Sequence, residues 1–247
     1  MHMSVKKVAL VTGGARGIAR AVALDLAGQG WSVAICYRTS GAEAARVVDD
    51  ICEKGAMGIA IPCDVSIPDA ARELVHQVHS DFGRIDALIN GAGPYHRVSL
   101  LEETNDGWHS MFDNNLHPVF YLTQAVLPIM KAQHWGRIVS FSMANAEQLI
   151  AQPQLTAHYI AKIGLLALSR SFAKLIAADG ITMNCVAPGF IDSGSAPDSE
   201  LKKMVKFIPA GYVGSVDDAV SAVRYLLSEE ARYVNGANIQ LSGGWGV

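Results

Sequence analysis

The sequence predicts a doubly wound α/β domain with a seven-stranded parallel sheet and helices on both faces. Two observations lead there. Short apolar runs of strand length alternate with longer segments of helical periodicity along the whole chain. The first run, residues 8–11, leads through Thr12-Gly13-Gly14-Ala15-Arg16-Gly17 into an apolar-periodic segment that opens at Ile18. That is a strand, a tight glycine turn and a helix start.

Taken in order, strands are expected at 8–11, 32–36, 58–61, 87–89, 137–141, 182–186 and 238–241. Helices are expected near 17–29, 42–54, 69–82, 105–132, 156–178 and 217–228. This alternation argues for parallel strands buried on both faces. Pro118 lies inside the segment 105–132 and predicts a bend, because proline removes a backbone hydrogen bond. The stretch 188–209 is irregular and rich in Gly, Ser, Asp and Pro. It follows the C-terminal end of a strand, where open α/β sheets place their ligands, and reads as a short substrate lid.

At 247 residues, half of them hydrophobic, the chain can bury a sizeable core in one domain. The formal net charge is −3 and no block of like charge stands out, so neither a nucleic-acid partner nor an electrostatic membrane anchor is expected. No apolar run is long enough to span a bilayer and no signal peptide precedes the first strand, so a cytoplasmic location is expected. Cys36, Cys52, Cys63 and Cys185 are scattered, with neither metal-ligand spacing nor a disulfide framework, and read as reduced thiols.

The glycine turn carries the first chemical reading. Glycines let the backbone approach a ligand closely, and the free N–H groups of a helix N-terminus favour an anion. The expected occupant is the pyrophosphate of a dinucleotide, as in the first unit of a Rossmann sheet.

The spacing Thr12-Gly13-x-x-x-Gly17-Ile18 resembles the turn of the short-chain dehydrogenase/reductase family. Further matches follow in that family's order: Cys63-Asp64-Val65, Asn90-Gly91-Ala92-Gly93, Asn115-Leu116, Gly136-Arg137-Ile138-Val139, Lys162-x-Gly164-Leu165, Asn184, Pro188-Gly189 and Gly243-Gly244. The resemblance covers almost the whole chain and is nearest to the branch that includes the 3-oxoacyl-carrier-protein reductases. It implies a dinucleotide held by Gly13, Arg16, Gly17 and Ile18, by Asp64 and Val65 at the adenine, and by Asn90, Ala92 and Gly93 beside the central strands. Lys162 would hold the nicotinamide ribose, with the nicotinamide over Pro188, Gly189 and Ile191. Two positions depart from the pattern: Gly91 replaces an Asn, and Ala19 replaces the last glycine of the first turn.

After the second strand, Tyr37 stands where an NAD-preferring site carries an acid for the ribose 2′-hydroxyl. Arg38 follows it and Arg16 sits in the glycine turn; guanidinium groups match phosphate oxygens. NADPH is therefore the expected cofactor, with NADH possible.

The family's catalytic set is Asn, Ser, Tyr and Lys. Tyr gives a proton to the carbonyl oxygen, Lys lowers the Tyr pKa, Ser donates a hydrogen bond to that oxygen, and Asn organises a relay water. Asn115 and Lys162 match. The Tyr position, four residues before the Lys, is His158, and Tyr159 lies one place later, turned by about 100° on a helix. The Ser position is Met143, which cannot donate, with Ser142 just before it. The candidates are therefore Asn115, His158 and Lys162, with Tyr159 and Ser142 as alternatives. Burial and the Lys162 charge would keep His158 neutral, and a neutral imidazole can still donate one N–H. The bland alternative is a polar helix residue with no catalytic role. Tyr95 and His96 follow the Asn90–Gly93 turn on a loop expected at the cleft rim.

The resemblance implies an NADPH-dependent reductase of a small carbonyl or conjugated-carbonyl substrate. Two alternatives stay open: reduction of an activated C=C bond, and a dinucleotide-binding sensor or scaffold that has lost turnover. Apolar surface on the segments 105–132 and 156–178, which relatives pair between subunits, predicts a homotetramer.

Overall fold

The computed structural model describes residues 6–194 and 198–246. In chain order the elements are β1 (Val8–Thr12), α1 (Gly17–Gly28), β2 (Ser32–Tyr37), α2 (Gly41–Glu53), β3 (Gly58–Pro62), α3 (Pro68–Phe82), β4 (Ala87–Asn90), α4 (Asn105–Asn115), α5 (His117–Gln133), β5 (Gly136–Phe141) and α6 (Thr156–Ile176). Then follow β6 (Ile181–Pro188), β7 (Ile191–Asp192), α7 (Asp198–Met204), β8 (Gly214–Ser215), α8 (Val216–Leu227) and β9 (Asn238–Leu241).

Among the described residues seven strands form one sheet in the order β3-β2-β1-β4-β5-β6-β9, every pair parallel. Side chains alternate across a strand, and β1 shows the consequence. Val8 and Leu10 enter the core under α3, α5 and α6, beside Leu74, Leu122 and Leu165. Ala9 and Val11 enter the opposite core under α1, α2 and α8, beside Val22, Val47 and Val223. Both faces of the sheet are covered, and all five residues of β1 are buried.

The chain reverses its direction of winding between β1 and β4, and the crevice outside their C-terminal ends is where such sheets hold a ligand. The opposite end is pinned by Asp86. This buried carboxylate accepts the Val8 amide at 2.8 Å and pairs with Arg84 at 2.6 Å.

The helix ends follow local chemistry. Pro68 opens α3 in the first turn, where its missing N–H costs nothing, and Gly83 closes it in a left-handed cap. Thr104 caps α4 by accepting the Gly107 amide at 3.0 Å. Ser215 and Asp218 form a reciprocal capping box at the start of α8.

Two expectations are corrected. The single helix expected over 105–132 is two helices, α4 and α5, that meet at Leu116. Pro118 sits in the first turn of α5, so the proline starts a second helix rather than bending one. This break leaves Asn115 as the last residue of α4. The stretch 188–209 carries β7, α7 and a short 3-10 turn at Val205–Phe207 rather than irregular chain alone; residues 195–197 of it lie outside the described residues. Among the described residues no helix is long and apolar enough to cross a membrane.

Candidate active site

The turn after β1 packs directly on the turn after β4. Gly13 has φ +66°, and a Cβ on it would stand 3.0 Å from the Ala92 backbone. Only glycine combines that dihedral with that approach. Thr12 Oγ1 accepts the Gly91 and Ala92 amides, each at 3.1 Å, which locks the two turns together. The two departures noted in the sequence meet here: a Cβ on Gly91 would lie 2.6 Å from Ala19 Cβ and 2.7 Å from the Thr12 carbonyl oxygen. The methyl that Ala19 adds to the first turn occupies the space that a side chain at 91 would need.

Two clefts open at this point. One of about 720 Å³ is bordered by Arg16, Gly17, Ile18, Arg46, Pro188 and Ser193. The other, about 420 Å³, is bordered by Gly13, Tyr37, Arg38, Asp64, Val65 and Ala92, with Gly93 at its edge. Arg38 donates to Asn114 Oδ1 at 3.0 Å and stands 3.7 Å from Asp64. Burial would raise the Asp64 carboxyl, but hydrogen bonds from Ser66 and the Arg38 charge outweigh it and hold the group below its ordinary value. Arg16 is paired with Glu43. Asn90, expected at the dinucleotide, borders neither cleft; its Nδ2 donates to Ser140 Oγ at 3.0 Å and ties β4 to β5.

A third cleft, of about 680 Å³, lies across Pro188 and is bordered by Met143, His158, Gly189, Phe190, Ile191 and Trp245, with Tyr95, Arg97, Ser142 and Gln152 among its other walls. His158 and Lys162 sit one turn apart on the same face of α6. Lys162 is buried and Nζ donates to the Phe141 carbonyl at 2.8 Å. Asn115 Nδ2 donates to the Pro94 carbonyl at 3.2 Å. Its Oδ1 crowds Gly93, where a Cβ would come within 2.5 Å, and has no hydrogen-bond partner among the described residues.

The comparisons with known proteins agree with this geometry. The family model described as enoyl-(acyl carrier protein) reductase matches residues 13–246. The 3-oxoacyl-[acyl-carrier-protein] reductase FabG of Staphylococcus aureus is 36% identical over 245 residues, 98% of this chain and 99% of that protein. A blue fluorescent protein from a metagenomic library, solved in complex with NADPH, is 32% identical with a TM-score of 0.90, covering 98% of each chain. Acetoin dehydrogenase YohF from Salmonella typhimurium superposes with a TM-score of 0.89 at 28% identity, covering 97% of this chain and 96% of that one.

The chain belongs to the short-chain dehydrogenase/reductase family. It is an NAD(P)H-dependent oxidoreductase of that type.

The hydroxyls of both alternative candidates, Tyr159 and Ser142, are engaged by other parts of the chain. Tyr159 is buried in the core; its hydroxyl donates to the Asn145 carbonyl at 2.9 Å and accepts the Ile150 amide at 3.2 Å. It pins the loop before α6, because the one-residue offset rotates it off the His158–Lys162 face. Ser142 borders the cleft, but its hydroxyl donates to Asn238 Oδ1 at 2.7 Å. That donor is spent on the β9 side chain. Expected together on the rim, Tyr95 and His96 part: Tyr95 borders the cleft with its ring 5.3 Å from that of His158, while His96 turns to Glu103 at 3.3 Å. Arg97, Gln152 and Phe190 are wall residues that sequence reasoning missed. None carries a motif; the fold of the loops alone brings them in.

The charge state of the α6 face is set by burial. His158 is pushed down to about 4 by desolvation first, then by the Lys162 charge and His96, with the Pro94 carbonyl opposing. Its Nδ1 is buried without a partner among the described residues. Lys162 is pushed down to about 8 by desolvation, yet stays largely charged at neutral pH.

This has a consequence for stability. Between about pH 4 and the ordinary histidine value of 6.5, the unfolded chain binds a proton that the folded protein refuses. The stability contributed by neutral His158 is therefore present above 6.5 and lost as the pH falls toward 4. His158→Gln, which cannot titrate, should lose less stability across that window, by on the order of 3 kcal/mol at full development. Urea unfolding of both proteins at several pH values checks this; parallel curves would show that His158 titrates normally.

Proposed function

We propose that the protein is an NADPH-dependent reductase of a small carbonyl or conjugated-carbonyl compound, with His158, or a water ordered by Asn115, supplying the proton. The observation that carries this reading is buried His158 on the wall of the cleft of about 680 Å³, one helical turn from buried Lys162, with that cleft sharing Pro188 with the larger glycine-turn cleft.

The residues fit a dinucleotide. Gly13 and Gly93 leave room where any Cβ would intrude, and α1 begins at Gly17 with no side-chain cap on its first amides. A bound nicotinamide dinucleotide would supply the hydride. Gly13, Gly17 and Ile18 would hold the pyrophosphate, Asp64, Val65 and Ala92 the adenosine end, and Lys162, Pro188, Gly189 and Ile191 the nicotinamide end. The FabG relatives and the NADPH complex of the metagenomic protein support this assignment.

The preference for NADPH rests on Tyr37, Arg38 and Arg16. No carboxylate at 37 repels a 2′-phosphate. Arg16 is paired closely with Glu43, whereas Arg38 stands 3.7 Å from Asp64 and borders the cleft beside Tyr37, so the phosphate contact falls chiefly to Arg38. NADPH should bind at least ~10-fold more tightly than NADH, and Arg38→Ala should erase most of that difference. Fluorescence titration with both cofactors tests it; equal affinities in the wild type would refute the preference.

In the proton step, Lys162 keeps a positive charge beside a neutral His158, and the imidazole holds one N–H to donate. The unpaired Nδ1 of His158 and Oδ1 of Asn115 are atoms that a ligand or an ordered water would satisfy. A second reading, reduction of an activated C=C bond, is favoured by one specific observation: with Met143 in the wall and Ser142 tied to Asn238, the cleft has no free hydroxyl at the family's Ser position. A carbon-protonating reaction depends less on that donor.

Generic 3-oxoacyl esters should therefore be reduced weakly. Met143→Ser with His158→Tyr should raise that activity at least ~10-fold, since each restored donor lowers the barrier by a few kcal/mol. His158→Ala should cost about 100-fold in kcat on the best substrate of a ketone and enone panel. Ordinary ester turnover that survives His158→Ala would remove His158 from the mechanism. NADPH binding with no turnover across the panel would point to a sensor.

The assembly belongs to the same proposal. Phe120 on α5 and Ile160 on α6 are large apolar residues left about 40% exposed. We expect these helices to pair between subunits in a homotetramer; sedimentation at micromolar concentration should show it, and a monomer would contradict it.

A further inference from the structure

We propose that Arg97 orients the substrate, and that the substrate is a carbonyl or enone compound bearing a free carboxylate. This rests on reading the cleft of about 680 Å³ as the substrate site.

The walls are mostly apolar: Met143, Leu155, Phe190, Met204 and Trp245. Trp245 and Phe190 pack ring to ring at 4.7 Å. Of the polar groups, the Ser142 hydroxyl is engaged by Asn238 and His158 is neutral at physiological pH. Among the described residues that border the cleft, Arg97 is the one charged side chain and there is no carboxylate.

Eight other arginines are paired, while Arg46 and Arg232 have no ion pair among the described residues. Arg16, Arg20, Arg38, Arg72, Arg84, Arg137, Arg170 and Arg224 each face an Asp or Glu. Arg97 has no hydrogen bond or ion pair among the described residues. Its position is nonetheless held. The loop that carries it is fastened by His96 to Glu103 at 3.3 Å and by the Leu100 amide to the Pro153 carbonyl at 2.8 Å. Tyr95, on the same side of the loop, stacks edge-on against His158. A guanidinium carried on a fastened loop beside an apolar cleft, with its donors unused, matches a planar carboxylate in two parallel hydrogen bonds. A neutral acyl thioester would leave it unmatched.

The test uses the full chain saturated with NADPH. The reactive probes are benzoylacrylate, which carries a conjugated carbonyl and a carboxylate, and its methyl ester. Phenylbutyrate, which cannot be reduced, probes binding by calorimetry. The acid should be preferred over the ester in kcat/KM by about 10-fold or more. Arg97→Gln should remove that preference through KM, and Arg97→Lys should retain part of it. Phenylbutyrate should bind the wild type and lose affinity in Arg97→Gln by a similar factor. Equal use of acid and ester, unaltered in Arg97→Gln, would overturn the carboxylate proposal while leaving the reductase reading intact. Arg97-dependent phenylbutyrate binding without any turnover would support the carboxylate site and count against the reductase reading. Absence of both turnover and phenylbutyrate binding would overturn both.

Discussion

The two hydrogen bonds from the Gly91 and Ala92 amides to Thr12 Oγ1 hold the site together. They join the turns that leave β1 and β4, the two strands between which the sheet changes direction. Because Gly13 lacks a Cβ, the turns meet backbone to backbone, and the crevice between them stays open for a ligand. The same contact explains a paired departure from the family pattern. Ala19 adds a methyl where relatives have glycine, and Gly91 removes a side chain where they have asparagine. The two positions share one space, so the exchange preserves packing in a region that has no slack.

A second constraint operates on α6. Burying an ammonium and an imidazole one turn apart is costly, and the protein resolves it unequally. Lys162 keeps its proton with the help of the Phe141 carbonyl, and His158 gives its proton up. The result is a fixed positive charge behind a neutral donor. In the family pattern a tyrosine stands in that place and the lysine lowers its pKa. Here the lysine acts on a group that already ionises in the opposite sense, so its charge suppresses the imidazolium. The Ser142 hydroxyl is likewise engaged, by Asn238 of β9.

The break between α4 and α5 has a similar local origin and a distant effect. Pro118 stands in the first turn of α5, where its missing N–H costs nothing, and Asn115 ends the preceding helix. The asparagine side chain then presses against Gly93 and reaches the Pro94 carbonyl, the group that also faces His158. One proline thus places a polar side chain from α4 beside the α6 pair.

Much of this was legible in the sequence. Seven apolar runs and their periodic partners specified the parallel sheet and most of its helices, because strands buried on both faces are rich in apolar residues. The strand–glycine turn–helix start was readable from the residues themselves, and so was the shared face of His158 and Lys162, since one helical turn brings 158 and 162 together whatever surrounds them. The tertiary structure decided the rest. Tyr159 was sent to the core and Ser142 to Asn238 by neighbours far along the chain, at Asn145 and in β9. Asn90 was drawn to Ser140 across the sheet. Arg97 and Phe190 came into the cleft from loops without motif or period. A sequence sets which way a side chain leaves its own helix or strand; which partner waits there depends on contacts between segments distant in the chain, and those exist only once the sheet has closed.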